Sequence, residues 1–439
     1  MFSVKDWVDT RKWQNWAGNV KGNPMQSLLP HDTKQLSNII WNTQKQHKTI
    51  RVTGAAHSFS PIAKPDDIAI SLHNIRGLID INTETGEATF WGGTYLYEIG
   101  PILAQFGFAL ANMGDIQEQT LAGAIATGTH GTGVTLGSLS NQVVMWGFVD
   151  GLGNYHEHTR GDDDLSNALH LSLGLLGVLV KVTIKTVPLY SLKCQSMHYS
   201  FHSAIKVWDK MIREHRHVEW FYFPGVEQIQ VKIMDQIPIV KQSIKSRTVE
   251  EFKNNVIENG LLYIVSEVCR RKPNATKWVS QLAAKSIPTG VIKGLSYEIF
   301  PSPRKVKFLE MEYAIPLEKF HECMEEIYFT LKSHPFKVHF PIECRTTCGE
   351  KGFLSPTQTK ESAFIAFHMY KGMSEKNYFR WVQTLMSKYN GRPHWGKMNQ
   401  LTKEQILEIY PKYSLFQQMR KKYDPENIFV TEYFKKLID

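Results

Sequence analysis

At 439 residues, with 42% apolar and 21% charged residues, the chain is too long for one ordinary core and too apolar for disorder, so two or three folded domains are expected. Its net charge of +9, from 51 basic against 42 acidic residues, is scattered apart from small clusters such as Arg420-Lys421-Lys422 and Lys435-Lys436. No basic stripe is interleaved with aromatics and no zinc-finger or helix-turn-helix pattern occurs, so a solvated basic face is expected and no nucleic-acid partner.

The five cysteines, Cys194, Cys269, Cys323, Cys344 and Cys348, are odd in number and unevenly spaced. That argues against a disulfide framework and for a reducing compartment such as the cytoplasm. Cys344 and Cys348 have no second pair or histidine cluster to complete a metal site, so no metal is expected. The N-terminus, Met1-Phe2-Ser3-Val4-Lys5-Asp6-Trp7, lacks the apolar stretch of a secretory signal. The longest apolar run, Leu171 to Val180, is interrupted by Gly174 and Gly177 and falls well short of the roughly 20 residues that span a bilayer.

In chain order, the first third reads as α/β. Asp32 to His47 has helical spacing through Leu36, Ile39 and Ile40, with Asp32 and Thr33 at its start. Thr49 to Thr53 is a short strand, followed by the small-residue turn Gly54-Ala55-Ala56-His57-Ser58. Ile68–Leu72 and Glu87–Trp91 are further strands, and Tyr97–Phe106 is a helix. Asn112 to Gly137 differs in kind, because Gly114, Gly123, Gly128, Gly131, Gly133 and Gly137 alternate with threonine and alanine. Such a stretch buries little side chain but can bring many backbone N–H groups against a ligand. Strand-like runs return at Val143–Asp150 and Leu173–Val187, closed by Pro188.

From Leu189 to Lys397 the texture changes. Glu219–Phe223, Gln228–Ile233, Lys307–Tyr313, Lys337–Phe340 and Ala363–His368 read as strands, with helices at Leu317–Ser333 and Glu375–Tyr389. This pattern predicts an α+β domain over a mostly antiparallel sheet. The last forty or so residues begin as helix and pass through Asp424-Pro425-Glu426-Asn427 to a short tail.

Four elements carry chemistry. The turn after Arg51-Val52-Thr53 presents free N–H donors of the kind a pyrophosphate or flavin ring needs, although a histidine in a turn is by itself more often a surface residue. Asn112-Met113-Gly114-Asp115 and Thr120 to Gly133 form neither a Walker loop nor a dinucleotide fingerprint, but the small-residue run is long for a plain loop. Leu173 to Val180, alone, is a glycine-interrupted core strand. Downstream lie Glu343-Cys344-Arg345, His368 and His394-Trp395-Gly396-Lys397. Alternate residues of a strand share a face, so Glu343 and Arg345 can project together into a cleft and grip a polyol or lactone, or simply pair with each other. Lys397 is either a surface lysine or a cation beside a bound cofactor.

In this order the elements resemble the vanillyl-alcohol-oxidase-type flavoproteins, with a PCMH-type FAD domain, and within them the sugar-1,4-lactone oxidases (D-arabinono-, L-gulono- and L-galactonolactone enzymes) and the related alditol oxidases. The likeness runs from Asn15-Trp16-Ala17-Gly18-Asn19 to Phe434, and also takes in Glu219 to Pro224 and Glu312-Tyr313-Ala314-Ile315-Pro316. It implies an α+β architecture in which residues 1–188 bind FAD, 189–405 form a cap and 406–439 pack back on the FAD domain. It further implies that FAD is held by Thr53, Gly54, Ala55, Ala56, His57, Ser58, Gly114, Asp115, Thr120, Gly123, Ala126, Thr127, Gly128, His130, Gly131, Gly177, Val178 and His394. His57 matches the histidine that bonds covalently to the flavin in many relatives. Glu343 and Arg345 match the substrate-binding pair, and His368 and Lys397 the groups beside the reacting hydroxyl. The implied reaction is oxidation of a CH–OH group of a sugar lactone, or of a polyol, with reoxidation by O2 or another acceptor. A flavin-binding protein without turnover is the reading from another class, and peripheral association with a membrane stays open. Gln117-Glu118-Gln119 and Cys344 depart from the family pattern and bear on which substrate is taken.

Overall fold

The computed structural model describes residues 12–240, 259–286, 289–302, 305–334 and 336–438; the N-terminal segment Met1–Trp7 lies outside them. A three-stranded parallel sheet opens the fold, with β1 (Gln26–Leu28), β2 (Ile50–Val52) and β3 (Ile68–Ile70) in the order β1-β3-β2. The helix Thr33–Lys45 joins the first two strands. It starts where the Asp32 side chain accepts a hydrogen bond from the Gln35 N–H and buries Leu36, Ile40 and Thr43 along one stripe.

A five-stranded antiparallel sheet follows, formed by β4 (Leu78–Asn82), β5 (Glu87–Trp91), β6 (Val143–Val149), β7 (Tyr155–Thr159) and β8 (Val178–Lys185), in the order β7-β6-β8-β5-β4. Between β5 and β6 the glycine-rich segment contains a short helix, Leu121–Thr127, which the glycine spacing did not reveal. Thr120 caps its first turn, and Gly128, at φ +74°, ends it in a left-handed conformation open to glycine at no cost. The strand expected from Leu173 begins only at Val178, because Leu173, Gly174 and Gly177 all take positive φ and turn the chain instead.

Apart from two short two-stranded pairs, Trp13–Gln14 with Lys21–Gly22 and Phe108–Ala109 with Val187–Pro188, the later strands β9 (Ser191–Ser200), β10 (His217–Tyr222), β11 (Gln228–Ile237), β12 (Gly290–Leu295), β13 (Phe308–Pro316), β14 (Ile342–Thr347) and β15 (Ser362–Tyr370) form one antiparallel sheet in the order β12-β9-β11-β10-β14-β15-β13. Arg392–Pro393 completes the edge beside β13, a place where proline's missing donor is tolerated. The strand expected at Lys337–Phe340 lies instead at Ile342–Thr347, beyond Pro341. Helices Phe201–Glu214, Phe320–Ser333 and Lys376–Lys388 cover one face, and their apolar stripes meet it in a core that includes Trp208, Trp220, Phe320 and Phe367. Every residue of β14 and β15 is buried, so any polar side chain on them is buried as well.

The C-terminal residues return to the first two sheets: Ile50 N–H of β2 donates to Ile428 O at 2.7 Å, and Gly151 N–H, in the turn after β6, to Tyr423 O at 2.8 Å. The tail is a helix, Glu432–Ile438. Among the described residues no helix is long and apolar enough to cross a membrane.

Glu350, in the loop after β14, ties the large sheet to the first half of the chain. Its buried carboxylate accepts from Ser138 N–H at 2.7 Å, Ser138 Oγ at 2.6 Å and Ser355 Oγ at 2.7 Å, and lies 3.2 Å from His170 Nε2. Burial opposes its charge, but His170 and the two hydroxyls outweigh burial and bring the carboxyl down to about 2. Against an unfolded value near 4.3, such a depression contributes on the order of 3 kcal/mol, fully present above that value and lost as pH falls towards 2. Glu350→Gln should therefore lower the Tm by several degrees at neutral pH, with the gap from the parent narrowing as a calorimetric series descends below about pH 4.

Candidate active site

Two clefts meet, one within the first half of the chain and one between that half and the large sheet. The first, enclosing about 920 Å³ partly open to solvent, is lined by the end of β2, the 54–58 turn, the helix Leu121–Thr127 and the Ser172–Leu179 turn. The turn is held by the hydrogen bond from Trp16 N–H to Ala56 O at 2.7 Å, which secures Ala56 at φ +54°, a conformation that costs a residue bearing a Cβ. His57, next in the chain, is thereby set at the mouth of the cleft with its ring stacked on Trp16 at 5.6 Å. Burial, and then the Lys397 charge, bring its imidazole down to about 4, so it is neutral at physiological pH.

This cleft fits FAD. Its walls are small residues and backbone, and side-chain growth has no room, since a Cβ on Gly54 would lie 2.3 Å from Thr120 Oγ1. At its inner end is Arg51, buried, with Nη2 donating to Leu173 O and Nε without any hydrogen-bond partner. Among the described residues no carboxylate pairs with it, and burial lowers its guanidinium to about 9. A buried cation in that state calls for an anion, and the FAD pyrophosphate is one.

The second cleft, about 670 Å³ including its open mouth, shares His57, Ser58, Gln119 and Thr127 with the first. Glu343 and Arg345 enter it from β14, His368 from β15, Glu310 and Glu312 from β13, and Lys397 from the segment after Arg392–Pro393. That segment is clamped by backbone bonds on both sides. His394 N–H donates to Glu312 O and Met398 N–H to Glu310 O, both at 2.9 Å, while Phe59 N–H donates to Gly396 O at 2.7 Å. The strand-edge segment is thus stitched directly to the His57 turn.

Charge dominates this cleft. The Arg345 guanidinium donates to Glu343, lies 3.1 Å from Glu219 Oε1 through Nε and 3.3 Å from Asp115 Oδ2 through Nη2. Burial works against its charge, but these carboxylates outweigh it and hold the guanidinium well above its ordinary value. Glu219 is pushed up, by burial first, with Arg345 opposing and Asp115 and Glu343 adding to the rise. The crowding of three carboxyl groups around one cation is what adds to that rise. On the opposite wall Lys397 Nζ is 2.7 Å from Glu310 Oε2 and 3.9 Å from Glu312 Oε2. His130 Nε2 lies 3.5 Å from Glu312 Oε1; burial disfavours that carboxylate, but His130 and Lys397 prevail and bring it well below the usual range. His394 is lowered to about 3, chiefly by burial, and its Nδ1 accepts from Gly396 N–H at 3.0 Å.

All four residues expected beside the substrate, Glu343, Arg345, His368 and Lys397, line the second cleft. Of the residues expected around FAD, Thr53, Gly54, Ala55, Ala56, His57, Ser58, Thr120, Gly123, Ala126, Thr127, Gly177 and Val178 line the first. Gly114, Asp115, His130 and His394 line the second instead. Gly128 and Gly131 line neither cleft: Gly128 ends a helix, and Gly131 packs so tightly that a Cβ would lie 2.2 Å from Met113 O. Sequence reasoning gave no site role to Arg51, Glu219, Glu310 or Glu312, although all but Glu310 stand in segments it singled out as motifs. The signal for the last two was present, since two acids at alternate positions of an otherwise apolar strand must share one buried face.

Residues 182–437 match the family described as D-arabinono-1,4-lactone oxidase, and residues 24–159 match the FAD binding domain. The chain is 33% identical to an L-gulono-1,4-lactone dehydrogenase of Mycobacterium tuberculosis, covering 97% of this chain and 99% of that one. It is 27% identical to the L-gulonolactone oxidase of Bos taurus, covering 97% and 98% respectively. In fold it is similar to cholesterol oxidase from B. sterolicum, with a TM-score of 0.80 at 16% identity over 98% of this chain and 97% of that one.

If Arg51 meets the pyrophosphate, Arg51→Leu should leave the fold intact but weaken FAD retention about tenfold or more, the worth of one charge-assisted contact. The ratio of flavin to protein absorbance after gel filtration at graded FAD concentrations checks this, and an unchanged ratio would mean that Arg51 serves packing alone.

Proposed function

The chain belongs to the D-arabinono-1,4-lactone oxidase family, and on that footing we propose that this FAD-dependent oxidoreductase oxidises a CH–OH group of an aldono-1,4-lactone in the second cleft. The observation that supports this most is the junction of the clefts: the polar groups converge where His57, Ser58, Gln119 and Thr127 open into the FAD cleft. Bound FAD supplies the hydride acceptor, a function no side chain provides.

The protein's own work is binding, orientation and proton transfer. Glu343 and Arg345 offer an acceptor and a donor to adjacent substrate oxygens, on a strand buried over its whole length, so the substrate carbon is presented in one orientation. Arg345 and Lys397 are already matched by carboxylates, so among the described residues the cleft suits a neutral lactone better than the carboxylate of the hydrolysed acid. His368 Nδ1 is 3.0 Å from Pro341 O, which can only accept, so Nδ1 carries a proton and, in the neutral ring, Nε2 is the acceptor. Nε2 takes the hydroxyl proton as the carbon gives up hydride, a contribution of about 10²–10⁴-fold. Lys397 presents an ammonium to the same space.

His57 is proposed to carry the flavin covalently. Its neutral ring keeps a nucleophilic lone pair, and Trp16 restrains the ring at the cleft mouth. The electrons then pass to O2 or to another acceptor.

Three measurements test the reading. A substrate screen should show aldono-1,4-lactones oxidised in clear preference to open alditols and to the aldonate anions; an alditol preference would assign the polyol reaction instead. Glu343→Gln and Arg345→Ala should keep bound flavin yet lower kcat/KM by about 10²-fold or more, part of it the cost of stranding the buried partner. On acid precipitation the yellow colour should stay with the polypeptide and be released in His57→Ala; release from the parent protein would refute the covalent link while leaving the flavoenzyme.

A further inference from the structure

Glu310 has no part in the chemistry read from the sequence, yet its position is costly enough to need a reason. It lies on β13 directly opposite His368 of β15, and both side chains are buried. A carboxylate on an interior strand is destabilising unless paired. Its two oxygens are divided between two partners: Oε2 is 2.7 Å from Lys397 Nζ, and Oε1 is 3.6 Å from His368 Nε2. Nε2 is the nitrogen not engaged by Pro341, on a ring that lines the cleft. One carboxylate therefore bridges the cation and the proton acceptor of the proposed oxidation.

We propose that Glu310 is the positioning residue of the reaction, holding Lys397 and His368 at a fixed separation and stabilising His368 once it has taken the substrate proton. The inference rests on the lactone-oxidation reading for its kinetic part. Before the proton transfer, the negative carboxylate faces a neutral ring; afterwards it faces an imidazolium, and the attraction exists only in the second state. An interaction that strengthens as the proton arrives lowers the barrier without tightening substrate binding. The titratable and charged groups lining the cleft with His368 are Glu310 and Glu312 from β13, Glu343 and Arg345 from β14, His394 and Lys397 from the segment after Arg392–Pro393, and His57, Asp115 and His130 from the other half of the chain. Of these, Glu310 is the one within 4.0 Å of Nε2 among the described ion pairs.

The test is Glu310→Gln, which keeps the shape and removes the charge, with Glu310→Asp as the conservative variant. In flavin-loaded Glu310→Gln, kcat should fall about 10²-fold with KM changed less than about threefold. The acid limb of the kcat profile should move to lower pH by about one unit, because a neutral neighbour no longer favours the doubly protonated ring. A histidine-labelled NMR titration, with the His368 signal assigned by its loss in His368→Gln, should move in the same direction in the absence of substrate. Glu310→Asp should recover part of both. Loss of activity with an unmoved acid limb and an unmoved His368 titration would show Glu310 to be structural and overturn the proposal. So would an unchanged kcat. If Glu310→Gln does not fold, Glu310→Asp carries the test, since a withdrawn carboxylate must still shift the His368 titration downward. A His368 titration that responds as stated in a protein oxidising no lactone would leave the pairing standing and refute the lactone reading alone.

Discussion

Two cations and five carboxylates, buried except for the half-buried Asp115 and Lys397, gather where the large sheet meets the rest of the chain: Arg345 with Asp115, Glu219 and Glu343, and Lys397 with Glu310 and Glu312. Such a set cannot be assembled piecemeal, because each charge left without its partner would cost several kcal/mol of desolvation. The constraint explains much else in the fold. Glu343 and Arg345 must lie two apart on one strand, and Glu310 and Glu312 likewise on another. Asp115 must be delivered from the other half of the chain, and Lys397 must be held by a segment with little freedom of its own. The backbone bonds from His394 and Met398 to β13, and from Phe59 to Gly396, meet that last requirement.

The same segment sets the relation between the clefts. By joining β13 to the turn that carries His57, it brings the Glu310 and Glu312 wall of one cleft to the mouth of the other. The strained φ of Ala56 is held in place by Trp16, and Glu350 fastens the opposite side of the interface through Ser138 and His170. Rigidity on both sides suits a reaction in which substrate carbon, cofactor and proton acceptor must meet within a few tenths of an ångström.

The fold was legible wherever periodicity was strong. The Thr33–Lys45 helix shows its Asp32 cap and its Leu36–Ile40 stripe in the residues themselves, and the β13 and β15 runs alternate or stay apolar as interior strands do. It was illegible where backbone conformation overrode side-chain pattern. Leu173 to Gly177 reads as a strand by hydropathy but turns, and Lys337–Phe340 reads as a strand but lies outside the ladder that begins after Pro341. The helix at Leu121–Thr127 is short, rich in alanine and flanked by glycine, so its existence rests on the Thr120 cap and on burial of Leu121, Ala124 and Ile125.

The residues named by motif were those whose chemistry is unusual for their setting: a histidine in a small-residue turn, an arginine two from a glutamate on a strand, a lysine after His-Trp-Gly. Sequence by itself determined these groups and the family they resemble, because side-chain identity and spacing are written in it directly. It could not determine their partners. That Arg345 meets Asp115 and Glu219, that Lys397 meets Glu310, and that Arg51 lies buried with no carboxylate partner among the described residues were decided only when strands distant in sequence became neighbours. The reason is physical: charge pairing and burial depend on distance through space, and the strand order that sets those distances is a property of the whole packed chain.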